Sequence, residues 1–307
     1  MKKFILMAVC IIMMSMTASA LTINKAMLVH NGEVTLYDGD KIQEAVNAAS
    51  DGDAIYLTLG TFKPFNITKR ITVRGTGDTS IIDGDVTISI PGSPKLTSPV
   101  MEALAISGTV NVGAQVDDMI LRKCKIANFT IGAQIDGAVL DRCYITSELR
   151  LSSYIKGMTV VNTKIQDLCA NSGATQNTTF VNCNIKRLYR TNFSGTIINS
   201  IIHYSNSEIN STVFLNTLMR SNWVGSSSVA QDCYYNSNFN LNDCECSFDT
   251  STLQSYGYLG ADGTVVGIYG GETPYTLVPS VPKVTSSDLQ LDNEKKQLNV
   301  TLTVSPQ

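Results

Sequence analysis

Leu121-Arg-Lys-Cys-Lys-Ile126, Leu140-Asp-Arg-Cys-Tyr-Ile145, Val160-Val-Asn-Thr-Lys-Ile165 and Phe180-Val-Asn-Cys-Asn-Ile185 repeat one six-residue pattern. Three more copies follow: Ile197-Ile-Asn-Ser-Ile-Ile202, Phe214-Leu-Asn-Thr-Leu-Met219 and Ala230-Gln-Asp-Cys-Tyr-Tyr235. The first position is apolar throughout, the fourth is small (Cys, Thr or Ser), and the sixth is apolar again, from Ile126 to Tyr235. Successive copies lie 19, 20, 20, 17, 17 and 16 residues apart. A helical repeat would place apolar residues at i, i+3, i+4 and i+7. These segments instead alternate over short β-branched runs and break at Gly, Asn or Ser. Short strands at that period predict a solenoid, each strand pairing in parallel with its counterpart one coil later, roughly 4.8 Å away.

The third position of the pattern holds Lys123, Arg142, Asn162, Asn182, Asn199, Asn216 and Asp232. A coil needs corners, and Asn tolerates the left-handed backbone of a tight one. Stacked amides there are expected to bond from coil to coil. The small residue beside each corner fits a narrowing interior, so Cys124, Cys143, Cys183 and Cys233 read as packing residues.

Upstream of the repeat, Lys2 and Lys3 precede the apolar run Phe4 to Met14, and Ala18-Ser-Ala20 follows. This pattern predicts an export signal cleaved after Ala20, hence a periplasmic or extracellular protein at the cell surface. No later segment is long and apolar enough for a membrane-spanning helix. The chain carries 23 basic against 26 acidic residues, a net charge of −3, and loss of the two leader lysines makes it −5. That balance argues against a nucleic-acid partner. Seven of the eight cysteines lie beyond the leader. Export permits disulfides, but an odd count in a large domain is not a disulfide framework. Cys244-x-Cys246, with His30 and His203 the remaining imidazoles, does not match a structural zinc site. The expected organisation is a leader over 1–20, a capped solenoid over 21–250, and a closing segment with a terminal strand over 251–307.

The entry to the solenoid has its own signature. Asp40 heads a helix with Gln43 at capping-box spacing, and Ile42, Ala45, Val46 and Ala49 line one face. Asp51-Gly-Asp53, a strand from Ala54 to Leu59, Gly60-Thr-Phe62, Ile71-Thr-Val-Arg-Gly75 and Ile81-Ile-Asp-Gly84 follow. Taken with the repeat, over roughly residues 38 to 246, the chain resembles the pectate-lyase-like superfamily of right-handed parallel β-helices, an all-β fold. The resemblance implies that the helix plugs the open end of the solenoid and covers strand edges. Asp262-Gly-Thr-Val-Val-Gly-Ile-Tyr-Gly-Gly271, with Pro274-Tyr275 and Pro279-Ser-Val-Pro282, is similar to the tail of secreted Bacteroidetes β-helix proteins. That likeness implies a Gly267-Ile-Tyr-Gly-Gly271 segment closing the solenoid and a final strand from Gln297 to Val304. The superfamily contains lyases, hydrolases, epimerases, adhesins and tailspikes, so the fold alone assigns no activity.

One column carries a candidate catalytic set. Seven residues before each small position stand Asp117, Asp136, Lys156 and Gln176. Polysaccharide lyases of this fold hold calcium on carboxylates and use Lys or Arg to remove the proton α to a uronate carboxylate. The resemblance therefore implies Asp117, Asp118 and Asp136 as metal ligands, with waters completing about six to eight oxygens, and Lys156 as the base. Against it, Asp117-Asp118, Asp136-Gly137, Lys156-Gly157 and Gln176-Asn177 are turn dipeptides, and turn chemistry explains each. The arginine that such lyases place beside the metal has no counterpart. The paired Asp motifs and His-Gly of polygalacturonases are absent, which disfavours hydrolysis. No cofactor is expected, and calcium enters only with the lyase reading.

A second column points to binding. Three residues after the small position lie Ala127, Thr146, Gln166, Lys186, His203, Arg220 and Asn236. Lys186, His203 and Arg220 form a basic stripe, with Arg187, Tyr189, Arg190 and Trp223 nearby. Cations beside aromatic rings suit an acidic polysaccharide, through charge pairing and ring stacking on sugar faces. The competing reading is a solvated face, the default for polar rows on solenoids. Coils of 16 to 20 residues leave no insertion to wall a groove. A deeper pocket is therefore expected in the irregular stretch from Ile88 to Ala103. The preferred function is a non-catalytic structural, adhesive or glycan-binding role at the cell surface. The alternative is a calcium-dependent lyase acting on uronate-containing polysaccharide.

Overall fold

The computed structural model describes residues 24–90, 98–113, 116–132, 135–152, 155–170, 178–189 and 194–279, and the backbone of Lys283–Asp292 and Gln297–Ser305. The repeat columns coincide with strand register. In a first ladder Leu121 pairs with Leu140, then in turn Val160, Phe180, Ile197, Phe214 and Ala230, all in parallel. The same ladder extends back through Met101 and Val73 to Ile55. In a second ladder Ile126, Ile145, Ile165, Ile185, Ile202, Met219 and Tyr235 pair in order. A short third ladder joins Val116–Asp117, Ile135–Asp136 and Ile155–Lys156. The result is an all-β solenoid of about 8 turns, only 7% helical. A single coil cannot bury its inward side chains; stacking supplies the missing neighbours. Phe129, Phe180 and Phe214 are fully buried in one core that extends from Ala26 to Met219.

The corner is left-handed at every copy. Lys123, Arg142, Asn162, Asn182, Asn199, Asn216 and Asp232 have φ between 44 and 53°. The small residue one position later has a role beyond packing. In all seven copies its hydroxyl or thiol donates to the carbonyl two residues back: Thr163 to Val161 at 2.8 Å, Ser200 to Ile198 at 2.7 Å, Cys183 to Val181 at 3.3 Å. Cys124, Cys143, Thr217 and Cys233 repeat the contact at 3.3, 3.6, 3.0 and 3.5 Å. Small size together with a donor explains why only Cys, Ser and Thr occur there. The seven cysteines among the described residues are free thiols.

At the N-terminal end a hairpin of Lys25–His30 and Glu33–Asp38 turns at Asn31-Gly32, with φ of 48 and 88°, and lies antiparallel on Ala54–Leu57. Helix α1 (Ile42–Ala48) buries Ile42, Ala45 and Val46 against the core, with Ala49 just beyond it, as its periodicity predicts. The expected capping box does not form. A 3-10 turn over Gly39–Lys41 precedes the helix, and no side chain caps either. The Gln43 amide instead bridges the backbone of Asn66, accepting from its N–H at 2.7 Å and donating to its carbonyl at 3.2 Å. A free strand edge beside the helix competes for the same side chain.

After Tyr235 the chain doubles back along the solenoid. Ile201 and Leu218, facing outward from the second ladder, build a small second core with Phe239, Leu241, Leu253 and Val266. Helix α2 (Thr250–Ser255) lies within this return, its first turn capped by Asp249, which accepts from the Thr252 N–H at 2.7 Å. The returning backbone then runs along the asparagine corner. Asn199 accepts from Gly267 N on its carbonyl and from Ala261 N on its amide oxygen, at 2.7 and 3.2 Å. Asn184 donates to the Cys244 carbonyl at 2.8 Å and accepts from Ile268 N at 3.3 Å. Asn162 donates to the carbonyls of Ile268 and Gly270 at 3.1 and 2.8 Å. At the corner positions Asn162 and Asn199 the side-chain amide thus bonds the tail and not the expected coil-to-coil ladder, and Asn184, two residues past a corner, does the same. Irregular backbone laid on a protein surface needs a donor and an acceptor at each step, and a primary amide offers both.

Gly267-Ile-Tyr-Gly-Gly271 accordingly lies beside the middle coils, not over the last one as the family likeness implies. The glycines permit the close approach. At Gly267 (φ 88°) a Cβ would stand 2.5 Å from the Asn184 amide oxygen, and at Gly271 (φ 76°) 2.3 Å from the Asn182 amide nitrogen. The last coil stays open, with Val229–Gln231 exposed. Compact units divide between Leu277 and Val278, so residues 251 to 277 belong to the solenoid unit. The second unit is a hairpin in which Lys283–Asp292 pairs antiparallel with Gln297–Ser305. The second of these strands matches the expected Gln297 to Val304; the first was not anticipated. Among the described residues no helix is long and apolar enough to cross a membrane.

Candidate functional site

The acidic column stacks as its spacing requires. Asp117 pairs with Asp136 and Asp136 with Lys156 along the third ladder. Gln176 lies outside the described residues. The same residues form a corner: Asp118, Gly137 and Gly157 have φ of 55, 70 and 70°, and Asp118 N donates to the Asp136 carbonyl at 2.8 Å. A Cβ on Gly137 would stand 2.4 Å from an Asp118 carboxylate oxygen, so that carboxylate lies against the next turn's backbone. Asp136 and Lys156 are exposed and Asp117 is half-buried. Among the described residues no group of three or more His, Cys, Asp or Glu side chains is placed to hold a metal ion. Every feature of a stacked turn is present here. The converging oxygens that calcium needs are not found among these side chains.

The basic column stacks too, and its surroundings differ from those expected. Lys186, His203 and Arg220 each follow the paired residues Ile185, Ile202 and Met219 by one position. The Arg220 guanidinium lies 3.0 Å from His203 Nε2 and also donates to the Ser237 carbonyl at 3.2 Å. A guanidinium can only donate, so this contact uses the Nε2 lone pair, whereas the Asn240 amide oxygen beside the same nitrogen can only accept; the two contacts suit opposite tautomers. Burial lowers the His203 pKa; the Asn240 hydrogen bond opposes this, and the Arg220 and Lys186 charges add to it. The returning chain flanks this row: Phe239 packs edge-on to His203 at 6.0 Å, Asn240 lies 3.3 Å from it, and Cys244 lies 3.8 Å from Gln166. The tail therefore flanks the row at Gln166 and His203, a side the short coils leave unwalled, and this flanked row is the candidate groove.

Of the remaining stripe residues, Arg187 forms a two-pronged ion pair with Asp167 at 2.5 and 2.7 Å and lies over the Tyr189 ring at 5.5 Å. Trp223 is half-buried against the core and meets the exposed Tyr204 ring edge-on at 6.3 Å. Arg187 and Tyr204 are register partners, so guanidinium and ring occupy adjacent coils. Arg190 lies outside the described residues, as does the Pro91-Gly-Ser-Pro94 loop in the stretch where a pocket was expected.

Three features escaped the sequence reading. On the outer face of the first ladder, Arg74 bonds Glu102 through two nitrogens at 3.0 and 2.7 Å, and Arg122 and Arg142 share Asp141 at 2.7 to 2.9 Å. Lys123 is buried beside them, its pKa lowered by desolvation and by Arg142. Lys164 is also buried, its ammonium 5.3 and 4.5 Å from the rings of Tyr144 and Tyr275 and paired with Glu245. Glu245 in turn accepts from the Tyr269 hydroxyl at 2.9 Å. This cluster pins the end of the returning chain. A signal for the return does exist: the column Lys125, Tyr144, Lys164, Asn184, Ile201, Leu218, Tyr234 turns from polar to apolar where the tail docks.

Two cavities lie among the described residues. One, of about 470 Å³, lies at the N-terminal cap and is lined by Asp38, Asp40, Thr61, Lys63 and Asp83 among others. The second, of about 280 Å³, lies over the first coils and is lined by Asp78, Ile81, Ser107, Lys125, Ala127 and Thr146 among others. Ser107, Ala127 and Thr146 belong to the same column as Lys186, His203 and Arg220. No family model, no curated protein and no solved structure matches this chain, so its geometry alone carries the functional argument.

Proposed function

We propose that this chain is an exported, non-catalytic β-helix of the pectate-lyase-like kind that binds acidic polysaccharide at the cell surface. The observation that supports this most is the row Lys186, His203 and Arg220 on consecutive coils, flanked by the tail on one side and by Arg187, Tyr189, Tyr204 and Trp223 on the other. The cations Lys186 and Arg220, two coils or roughly 10 Å apart with His203 between them, suit a polymer that carries carboxylates along its length. Rings beside them offer apolar faces to sugar C–H groups. Export rests on the leader pattern of residues 1–20. The test is affinity electrophoresis of the mature chain through gels containing polygalacturonate or neutral galactan. Retardation by polygalacturonate alone, weakened by Lys186→Ala with Arg220→Ala and by added salt, is the expected result. Equal mobility in both gels refutes the reading. The stacked Asp117, Asp136 and Lys156 keep a calcium-dependent lyase as the second reading; release of unsaturated uronate with calcium, abolished by Lys156→Ala, would replace the first.

A further inference from the structure

The groove does not have one character along its length. Over Lys186 and Arg220, with His203 between them, it is cationic. Two coils earlier, at Thr146, the same column opens into the cavity of about 280 Å³. The cavity exists because the column there holds Ser107, Ala127 and Thr146, where later coils hold Gln166 and longer cations. One wall comes from Asp78 and Ile81, and Lys125 lines it two coils further on, past Ala105. Tyr275, at the end of the returning chain, is close by: Asp78 is among the charges that raise its phenol pKa, after burial and Glu245.

We propose that this cavity is a subsite for one uncharged hexopyranose unit of the bound glycan. The assignment rests on the preceding reading of the groove as a glycan site, and it adds a chemical requirement. Asp78 and Lys125 together bring no net charge. A carboxylate accepts two hydrogen bonds from neighbouring sugar hydroxyls, and an ammonium and the Ser107 and Thr146 hydroxyls donate to sugar oxygens. Ile81 and Ala127 face the C–H side of the ring. Asp78 already balances Lys125, so a uronate here would leave the cavity with an uncompensated negative charge, whereas a neutral unit leaves none. The volume lies at the small end of ligand sites, which suits one sugar ring and not a longer chain. Thr146 stands two strand spacings from Lys186, about 10 Å. The preferred ligand is therefore a heteropolysaccharide in which neutral and acidic residues occur along one chain.

The test uses the isotope-labelled mature chain, titrated with methyl hexopyranosides (galacto, gluco and manno) and separately with monomeric galacturonate, followed by nuclear magnetic resonance. A neutral hexoside should shift the resonances of Ser107, Lys125, Ala127 and Thr146, and galacturonate should not. Ala127→Phe fills the cavity and should weaken hexoside binding at least about tenfold, with polygalacturonate retardation unchanged. Asp78→Asn keeps the shape and removes the negative charge, so it should admit galacturonate at this site; it also serves if the Phe variant does not fold. Neutral hexosides that leave these resonances unmoved, or galacturonate bound as well as they are, overturn the subsite. Loss of polygalacturonate retardation in the parent chain would instead overturn the groove reading, so the two failures are distinct.

Discussion

Asn162 offers the sharpest test of the corner and of the tail packed on it. Its amide donates to the carbonyls of Ile268 and Gly270, and its φ is 44°. Asn162→Gly removes both hydrogen bonds while keeping a residue at ease in the left-handed region. Two bonds at about 1 kcal/mol each give a loss of about 2 kcal/mol, and the added unfolded-state freedom of glycine costs a further ~0.5–1 kcal/mol. Asn162→Ala loses the same bonds and, unlike Asn, has no polar side chain to ease its Cβ at positive φ, which costs up to about 1–2 kcal/mol. The expected order is therefore wild type, then Gly, then Ala, with totals near 2.5–3 and 3–4 kcal/mol respectively. Urea unfolding at constant slope measures the totals. Hydrogen exchange at Gly267 and Ile268, whose N–H groups bond Asn199 and Asn184, reads the tail directly. A local loss of about 2 kcal/mol should lower protection there roughly 30-fold. Refutation is simple to recognise: both variants within about 0.5 kcal/mol of wild type, or the Ala variant more stable than the Gly variant.

The column cysteines should be inert in the native state. Burial raises the Cys183 pKa to about 12 and that of Cys143 well above its usual value, so a thiol reagent at pH 8 should modify neither until urea unfolds the chain; rapid labelling of Cys183 in the folded protein would contradict this. Because Ser200 makes the Cys183-type contact one coil later, Cys183→Ser should cost under about 1 kcal/mol by urea titration, and a larger loss would mean that packing outweighs the hydrogen bond. His203 predicts a pH dependence. Its folded pKa lies below 6.5, so the unfolded chain binds more protons below about pH 6.5 and this group's stabilisation, present above that value, fades as the pH falls toward the folded pKa. His203→Gln should therefore lose less urea midpoint between pH 7.5 and 5 than wild type, and identical losses would refute the assignment.

Two halves of the proposed groove come from different parts of the chain. The floor is built by coils that repeat; the wall is built by a segment that does not. This division bears on how the site tolerates change. Replacing a floor residue such as Lys186 alters one half-buried side chain, whereas breaking Lys164 from Glu245, Tyr144 and Tyr275 frees the end of the wall. Buried charges that lose their partner are costly, which makes the Lys164 cluster a structural anchor for the site.

The coil register, the left-handed corner at Asn162 and its equivalents, and the stacking of Lys186, His203 and Arg220 were all determined by the sequence alone. The reason is physical: in a solenoid each residue's chief neighbour is its own counterpart one period away, so local pattern and tertiary contact carry the same information. The tertiary structure alone decided where the non-repeating residues go. Phe239, Leu241, Leu253 and Val266 follow no period, and their partners Ile201 and Leu218 face outward from a sheet whose inward pattern is the visible one. The apolar turn of that outward column at Ile201 and Leu218 marks a covered face, but it does not say which segment covers it. That choice was made by amides and glycines brought together from distant parts of the chain, at Asn162 with Gly270 and Asn182 with Gly271, and it gave the groove its wall.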